Sequence, residues 1–296
     1  MATFDLYQSV TDSIIAKMET SGANWVNPFN KGRNSLKPYN ATTGKSYRGI
    51  NTVLLNFTPF TSNAWASFNQ WRNANCAVRK GEKASIVVFF SMLEKKNTQT
   101  GATDKFPMLK YFNVFNADQV DGDLADKHRA VAVEKPSDVE TVAVADAIVA
   151  RTNATIRHSR EPRAYYSGGG DFIHMPERAL FDATPTSTAT EAYYSTLFHE
   201  LTHWTSQPTR CARKLGERFG DHAYAFEELV AELGAAFLCA EAGITREPRA
   251  DHAHYLNNWL SVLKNDKRAI FRAASLAREA SEFITGKKTE AVDEAA

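Results

Sequence analysis

His199, Glu200 and His203, within the stretch FHELTHW at 198–204, are the residues of this 296-residue chain best placed by type and spacing to hold a metal ion and support hydrolysis. Residues four apart on an α-helix stand on one face, about 6 Å apart along the axis, so both imidazoles can address one cation. Zinc accepts two imidazoles at about 2.0–2.1 Å, and a catalytic site adds one more protein ligand while keeping a position for water. Glu200, beside the first histidine, is then the general base for that water. Phe198, Leu201 and Trp204 make the rest of the helix apolar, and histidines buried there need partners.

A third ligand is offered by the stretch YAFEELVAELGAAFL at 224–238. Glu228 and Glu232 lie four apart on one helical face, flanked by Phe226, Leu229, Val230, Leu233 and Phe237, where unpaired carboxylates are costly. The economical assignment makes Glu228 the ligand and Glu232 the acceptor for the other N–H of a ligating imidazole. Glu227, one residue out of phase, is the alternative ligand. Tyr193, Tyr194, His222 and Tyr224 are candidates for stabilising an oxyanion opposite the metal, and the sequence does not choose among them. Cys211 reads as a free buried thiol, not a ligand.

These stretches require helices at about 188–206 and 221–242, with further helices at about 138–152, 251–264 and 266–284. Strand-like pieces fall around 154–158, 164–166 and 171–175. Upstream, Leu6, Val10, Ile14 and Met18 mark an amphipathic helix ending near Ser21-Gly22. A turn-rich segment covers 25–51, a helix is expected over about 62–74, and two strands at 84–93 and 108–116 flank a polar hairpin. The fold class is α+β: a small N-terminal α+β domain (1–120), a polar linker (121–137), a mainly helical domain with a small sheet (138–285) and a frayed tail (286–296).

Composition agrees with two halves of different character. Residues 1–115 carry 14 Lys and Arg against 6 Asp and Glu, a formal +8, and the remainder carries −7 within a net charge of +1. Such asymmetry points to different partners for the two halves. The basic half also holds 17 of the chain's 33 aromatic residues. Interleaved aromatics and bases are what a single-stranded nucleic acid needs, rings to stack on and cations along the phosphates. The candidates are Lys37, Tyr39, Lys45, Tyr47, Arg48 and Asn51 in one segment and Arg79, Lys80 and Lys83 in another. Phe57, Phe60, Phe89, Phe90, Phe112 and Phe115, in apolar or strand-like surroundings, are assigned to the core. Three widely spaced cysteines, no export signal and no membrane-length apolar run suit a reducing cytoplasm.

The segments GGGDFIHMPERALF, YYSTLFHELTHWT and YAFEELVAELGAAFLCAEAGI resemble the zincin-like domain of ArdC antirestriction proteins of conjugative plasmids, over about 140–285. TGKSYRGIN and VRKGEK are similar to the N-terminal single-stranded-DNA-binding domain shared by ArdC and the plasmid TraC primases. The resemblance implies a cytoplasmic bacterial protein with a gluzincin-like Zn2+ site, for which Mn2+ is the alternative metal. It also implies a role in protecting transferred DNA, with single-stranded DNA and a host restriction or DNA-associated protein as partners. It gives 171–175 the place of an edge strand on which an extended substrate pairs. The competing reading is a non-catalytic binding protein whose metal site is structural; an intact Glu200 favours the enzyme.

Overall fold

A computed structural model describes residues 5–21, 37–96, 103–130, 138–183, 188–213, 222–244 and 252–287 of the chain. In order, its N-terminal part runs α1 (Leu6–Ser21), β1 (Tyr39–Asn40), α2 (Ile50–Asn56), β2 (Ala64–Ser67), α3 (Phe68–Asn73), β3 (Ala77–Val78), β4 (Ser85–Lys96), β5 (Thr103–Asn116), β6 (Val120–Asp121) and α4 (Asp123–Ala130). The C-terminal part follows with α5 (Asp138–Thr152), β7 (Thr155–Ser159), β8 (Tyr165–Ser167), β9 (Phe172–Pro176), α6 (Ala189–Trp204), α7 (His222–Ala242), α8 (His252–Asn265) and α9 (Ala269–Thr285). The fold is α+β, and among the described residues no helix is long and apolar enough to cross a membrane.

The N-terminal sheet has the order β1-β2-β5-β4, with β1 parallel to β2 and the other pairs antiparallel. The helix expected over 62–74 splits here. Ala64, Trp65 and Ala66 are buried, Ala64 paired with β1 and Trp65 and Ala66 with β5, and a helix begins only after Ser67. Ser67 is the cause: its hydroxyl accepts from the Gln70 backbone N–H at 3.3 Å while Gln70 Oε1 accepts from the Ser67 N–H at 2.9 Å. This capping box starts a helix at Phe68 and leaves the preceding residues to the sheet. The segment expected as a linker, 121–137, also differs, since β6 and α4 occupy its beginning. Ala125 of α4 is buried with Trp71 and Val120. Residues 131–137, and most of the 97–104 hairpin and the tail, lie outside the described residues.

In the C-terminal part a sheet of order β7-β9-β8 backs the helices. The strand at 171–175 is therefore not an edge: β9 pairs in parallel with β7 and antiparallel with β8. The short turn at 168–171 folds β8 onto one side of β9, and β7 takes the other, so the backbone groups of β9 are already used. Ile173, His174 and Met175 are buried accordingly, and the sheet edges are β7 and β8.

One apolar cluster joins the two parts. Leu6, Val10, Ile14 and Met18 of α1, Ile50 and Val53 of α2 and Val88 of β4 pack with Leu229 and Phe237 of α7, Trp259 of α8 and Phe271 of α9. The four-residue spacing in α1 puts its apolar residues on the stripe that this cluster requires. Asn51 ties α2 to β4 on the N-terminal side of this cluster, its Nδ2 donating to the Val88 carbonyl and its Oδ1 accepting from the Val88 N–H, both at 2.8 Å. Asn51→Ala should leave two buried backbone groups unsatisfied and lower stability by about 2–4 kcal/mol, measured as a shift in the urea midpoint. An unchanged midpoint would free Asn51 for a surface role.

Candidate metal centre

α6 begins where the sequence lets it. Thr188 caps it, accepting from the Glu191 N–H at 3.1 Å while Glu191 Oε2 accepts from the Thr188 N–H at 2.9 Å. From there His199 and His203 fall on the face turned to α7. The two helices approach closely at Gly234, where a Cβ would lie 2.5 Å from Thr202 Cγ2 and 2.6 Å from its Oγ1. Only a residue without a side chain lets them meet at this distance. α7 is buried nearly all round, and three of its four carboxylates face α6, at 4%, 7% and 3% exposure for Glu227, Glu228 and Glu232.

The donor atoms converge. His199 Nε2 and His203 Nε2 are 3.2 Å apart. Glu228 places Oε2 3.5 Å from His199 Nε2 and Oε1 3.4 Å from His203 Nε2. A tetrahedron about a cation at about 2.0–2.1 Å has edges of about 3.3–3.4 Å, so these three side chains fit a divalent ion. Each imidazole is also held from behind: His199 Nδ1 faces Glu232 Oε1 at 3.0 Å and His203 Nδ1 faces Glu227 Oε1 at 3.3 Å. Glu227, the alternative ligand, is thus on the outer nitrogen of His203, because one residue of helix turns a side chain by about 100°.

Charge and hydrogen bonding tie these groups to one another. Desolvation pushes the Glu228 carboxyl up, and its hydrogen bonds to His199 and His203 outweigh it, leaving the group well below the usual carboxylate range. Desolvation pushes the His203 ring down, and its bonds to Glu227 and Glu228 reverse the sign. Glu227 is itself lowered against desolvation by His203 and Arg213.

Arg213 is the residue that sequence reasoning missed. Its guanidinium, buried, donates to Glu227 at 2.9 and 3.1 Å, to Thr205 Oγ1 at 2.7 Å and to the Thr202 carbonyl at 2.6 Å. It thereby closes the C-terminus of α6 and fixes the carboxylate behind His203. The signal was a third buried glutamate needing a cation, but several bases follow Cys211 and the sequence gives no way to choose.

The other candidates scatter. Glu200 is buried next to His199. Tyr193 is buried with its hydroxyl 2.8 Å from His158 Nε2, and Tyr194 bonds Asp146 while accepting from Arg178 Nη2 at 2.8 Å. Burial, then the Asp146 bond, pushes the Tyr194 phenol up to about 12. Both tyrosines serve the packing between α5, the sheet and α6, and these bonds turn their hydroxyls to His158, Asp146 and Arg178. His222 is exposed at the start of α7; Tyr224 is half-buried one turn before Glu228 on the same face. Cys211 is half-buried.

In the basic half, Tyr47 is 1% exposed among Leu55, Trp65, Val87 and Val114, so its ring is core and offers no stacking face. Asn51 is committed to Val88. Lys37 pairs with Glu241 at 2.7 Å, Tyr39 bonds His128 Nδ1 at 2.9 Å, and Arg79 pairs with Asp121 at 3.1 Å and Glu82 at 3.4 Å. Lys45, Lys80 and Lys83 are exposed, and Arg48 is half-buried at a cleft. Phe90, assigned to the core by its strand context, is 60% exposed, and Tyr111 is 49% exposed.

A helix bearing two histidines one turn apart, crossed by a helix bearing glutamates and backed by a small sheet, defines a zincin-like domain. Residues 143–276 match the zincin-like metallopeptidase family, and residues 4–115 match the N-terminal domain of anti-restriction factor ArdC. The metal-free crystal structure of the antirestriction ArdC protein from plasmid R388 is 42% identical, covers 95% of this chain and 97% of that one, and superposes with a TM-score of 0.77. Its Mn(II)-bound form is 41% identical over 96% of this chain and 98% of that one, with a TM-score of 0.74. The chain belongs to the ArdC antirestriction family. It is also 33% identical to protein y4eC of Sinorhizobium fredii, over 97% of this chain and 94% of that protein. It is 32% identical to the DNA primase TraC of Escherichia coli over 97% of its own length, but spans only 28% of that primase.

Two variants test the packing that builds the site. Arg213→Met should strand Glu227 and cost about 3–5 kcal/mol, read from urea unfolding. Gly234→Ala should also destabilise, by about 1–3 kcal/mol, and adding Thr202→Ala should restore part of the loss; no rescue would place the strain elsewhere.

Proposed function

We propose that this chain binds single-stranded DNA and carries a divalent-metal-dependent peptidase centre, and that it protects conjugatively transferred DNA from host restriction. The observation that carries the peptidase reading is the convergence of His199, His203 and Glu228 with Glu200 beside them. Zinc suits two imidazoles and a carboxylate, and the Mn(II)-bound relative supports manganese as the alternative. A divalent ion held there supplies Lewis acidity, activating a water and polarising a peptide carbonyl. Glu200 accepts the proton of that water and returns it to the leaving amine. Glu227 and Glu232 fix the orientation of the two imidazoles, and Arg213 fixes Glu227. Tyr224, one helical turn before Glu228 on α7, is the oxyanion candidate this reading takes. The DNA-binding half, with its +8 charge in residues 1–115, holds the centre near proteins acting on the same DNA and so raises their effective concentration.

One observation favours the alternative, a metal that only holds the fold: the side chains of His199 and Glu228 are 5% and 9% exposed, which leaves a substrate little surface. A set of variants separates the two readings. His199→Ala, His203→Ala and Glu228→Ala should lose bound metal, whereas Glu227→Ala and Glu232→Ala should weaken it by about 10- to 100-fold. Glu200→Gln should keep its metal and abolish hydrolysis and protection together. If Glu200→Gln protects DNA as well as the wild type does, the centre is structural.

A further inference from the structure

The largest change between sequence and structure in the basic half is the exchange of Tyr47 and Phe90: the tyrosine goes into the core and the phenylalanine comes out. Phe90 does not stand alone. It borders a cleft of about 370 Å³ lined also by Arg48 and Gly49 and by Phe271, Ser275 and Arg278 of α9. That volume lies within the about 300–1,000 Å³ usual for small-molecule sites.

Both halves build the walls. Gly49, at a φ of 56° open to glycine, turns the chain against α9, where a Cβ would come 3.9 Å from the Ala274 oxygen and 4.0 Å from Arg278 Cδ. On α9, Phe271, Ser275 and Arg278 follow each other at helical spacing on one stripe, and Arg268 at the start of the helix extends it. Arg268 lies 5.0 Å over the Tyr7 ring, which meets Phe271 at 4.8 Å and Phe90 at 6.4 Å. Arg278 Nη1 donates to both Glu282 oxygens at 3.0 Å, which holds its guanidinium at the cleft. Phe90, Arg48 and Arg278 thus line one cleft, with the Tyr7 and Arg268 pair beside Phe90 and Phe271.

We infer that this cleft is a nucleotide subsite for single-stranded DNA shared by the two halves, with Phe90 as the stacking face for a base and Arg48 and Arg278 as contacts for the flanking phosphates. The assignment rests on the single-strand reading given above and adds where the strand lies: against α9 of the zincin-like half, not on the N-terminal half alone. Base stacking on an aromatic face is tolerant of sequence, and each phosphate contact adds to salt dependence.

Binding of a fluorescent oligothymidylate to the full chain, followed by anisotropy over a range of salt, tests it. Phe90→Ala should weaken binding by about 5- to 150-fold, with an unchanged melting temperature because the ring is mostly exposed. Arg278→Gln should weaken binding and reduce the slope of log affinity against log salt by about 0.7. Phe68→Ala, which removes another exposed aromatic outside the cleft, should bind within about twofold of wild type. Wild type failing to bind oligothymidylate overturns the single-strand reading itself. Wild type binding with Phe90→Ala and Arg278→Gln both unaffected overturns only the cleft. Loss in Phe90→Ala with Arg278→Gln unaffected overturns the sharing between halves.

Discussion

Three carboxylates in an apolar helix are the constraint around which the zincin-like half is arranged. Glu227, Glu228 and Glu232 are almost fully buried on α7, and isolated charges there would destabilise the fold by several kcal/mol each. Each is answered by a specific partner: Glu232 by the outer nitrogen of His199, Glu228 by the inner nitrogens of both histidines, and Glu227 by His203 and Arg213. The pairing demands that α6 and α7 come closer than ordinary side chains allow, which is why Gly234 faces Thr202. It also demands that the chain leaving α6 return a guanidinium to the junction. Charge neutralisation and helix approach are therefore one problem with one solution.

α7 links that centre to the rest of the molecule. One of its faces packs with Ile173, Phe198 and Leu201 beside the sheet, and another joins α1, α8 and α9. Because interiors are close-packed, a helix fixed on every side transmits displacement instead of absorbing it. The geometry of His199, His203 and Glu228 is thus set by packing that reaches the N-terminal helix, and α9, which packs against α7, also forms a wall of the cleft beside β4.

How much of this was legible in the sequence differs between the halves. The helices at 138–152, 188–206, 221–242, 251–264 and 266–284 and the three short strands were readable, because each is a local periodic pattern closed by local signals. The convergence of His199, His203 and Glu228 was readable for the same reason: spacing within two helices fixes which side chains share a face. In the basic half the local signals misled. Tyr47 lies in a turn-rich segment that looks exposed, and Phe90 lies in a strand that looks buried. Ala64 to Ser67 looked helical until Ser67 capped the helix one residue later.

Sequence by itself determined which of His199, His203, Glu228 and Glu232 share a helical face, the phase of the two helices that carry them and the charge contrast between the halves, since these depend on interactions within a few residues. Tertiary structure decided the rest. It made β9 a central strand by folding β8 against it, chose Arg213 from several available bases, and required glycine where α7 passes Thr202 of α6. It also buried Tyr47 and exposed Phe90, because burial depends on which surface another part of the chain covers. The residues that cover Tyr47, among them Trp65, Val87 and Val114, come from separate strands, and no local pattern carries information over such separations.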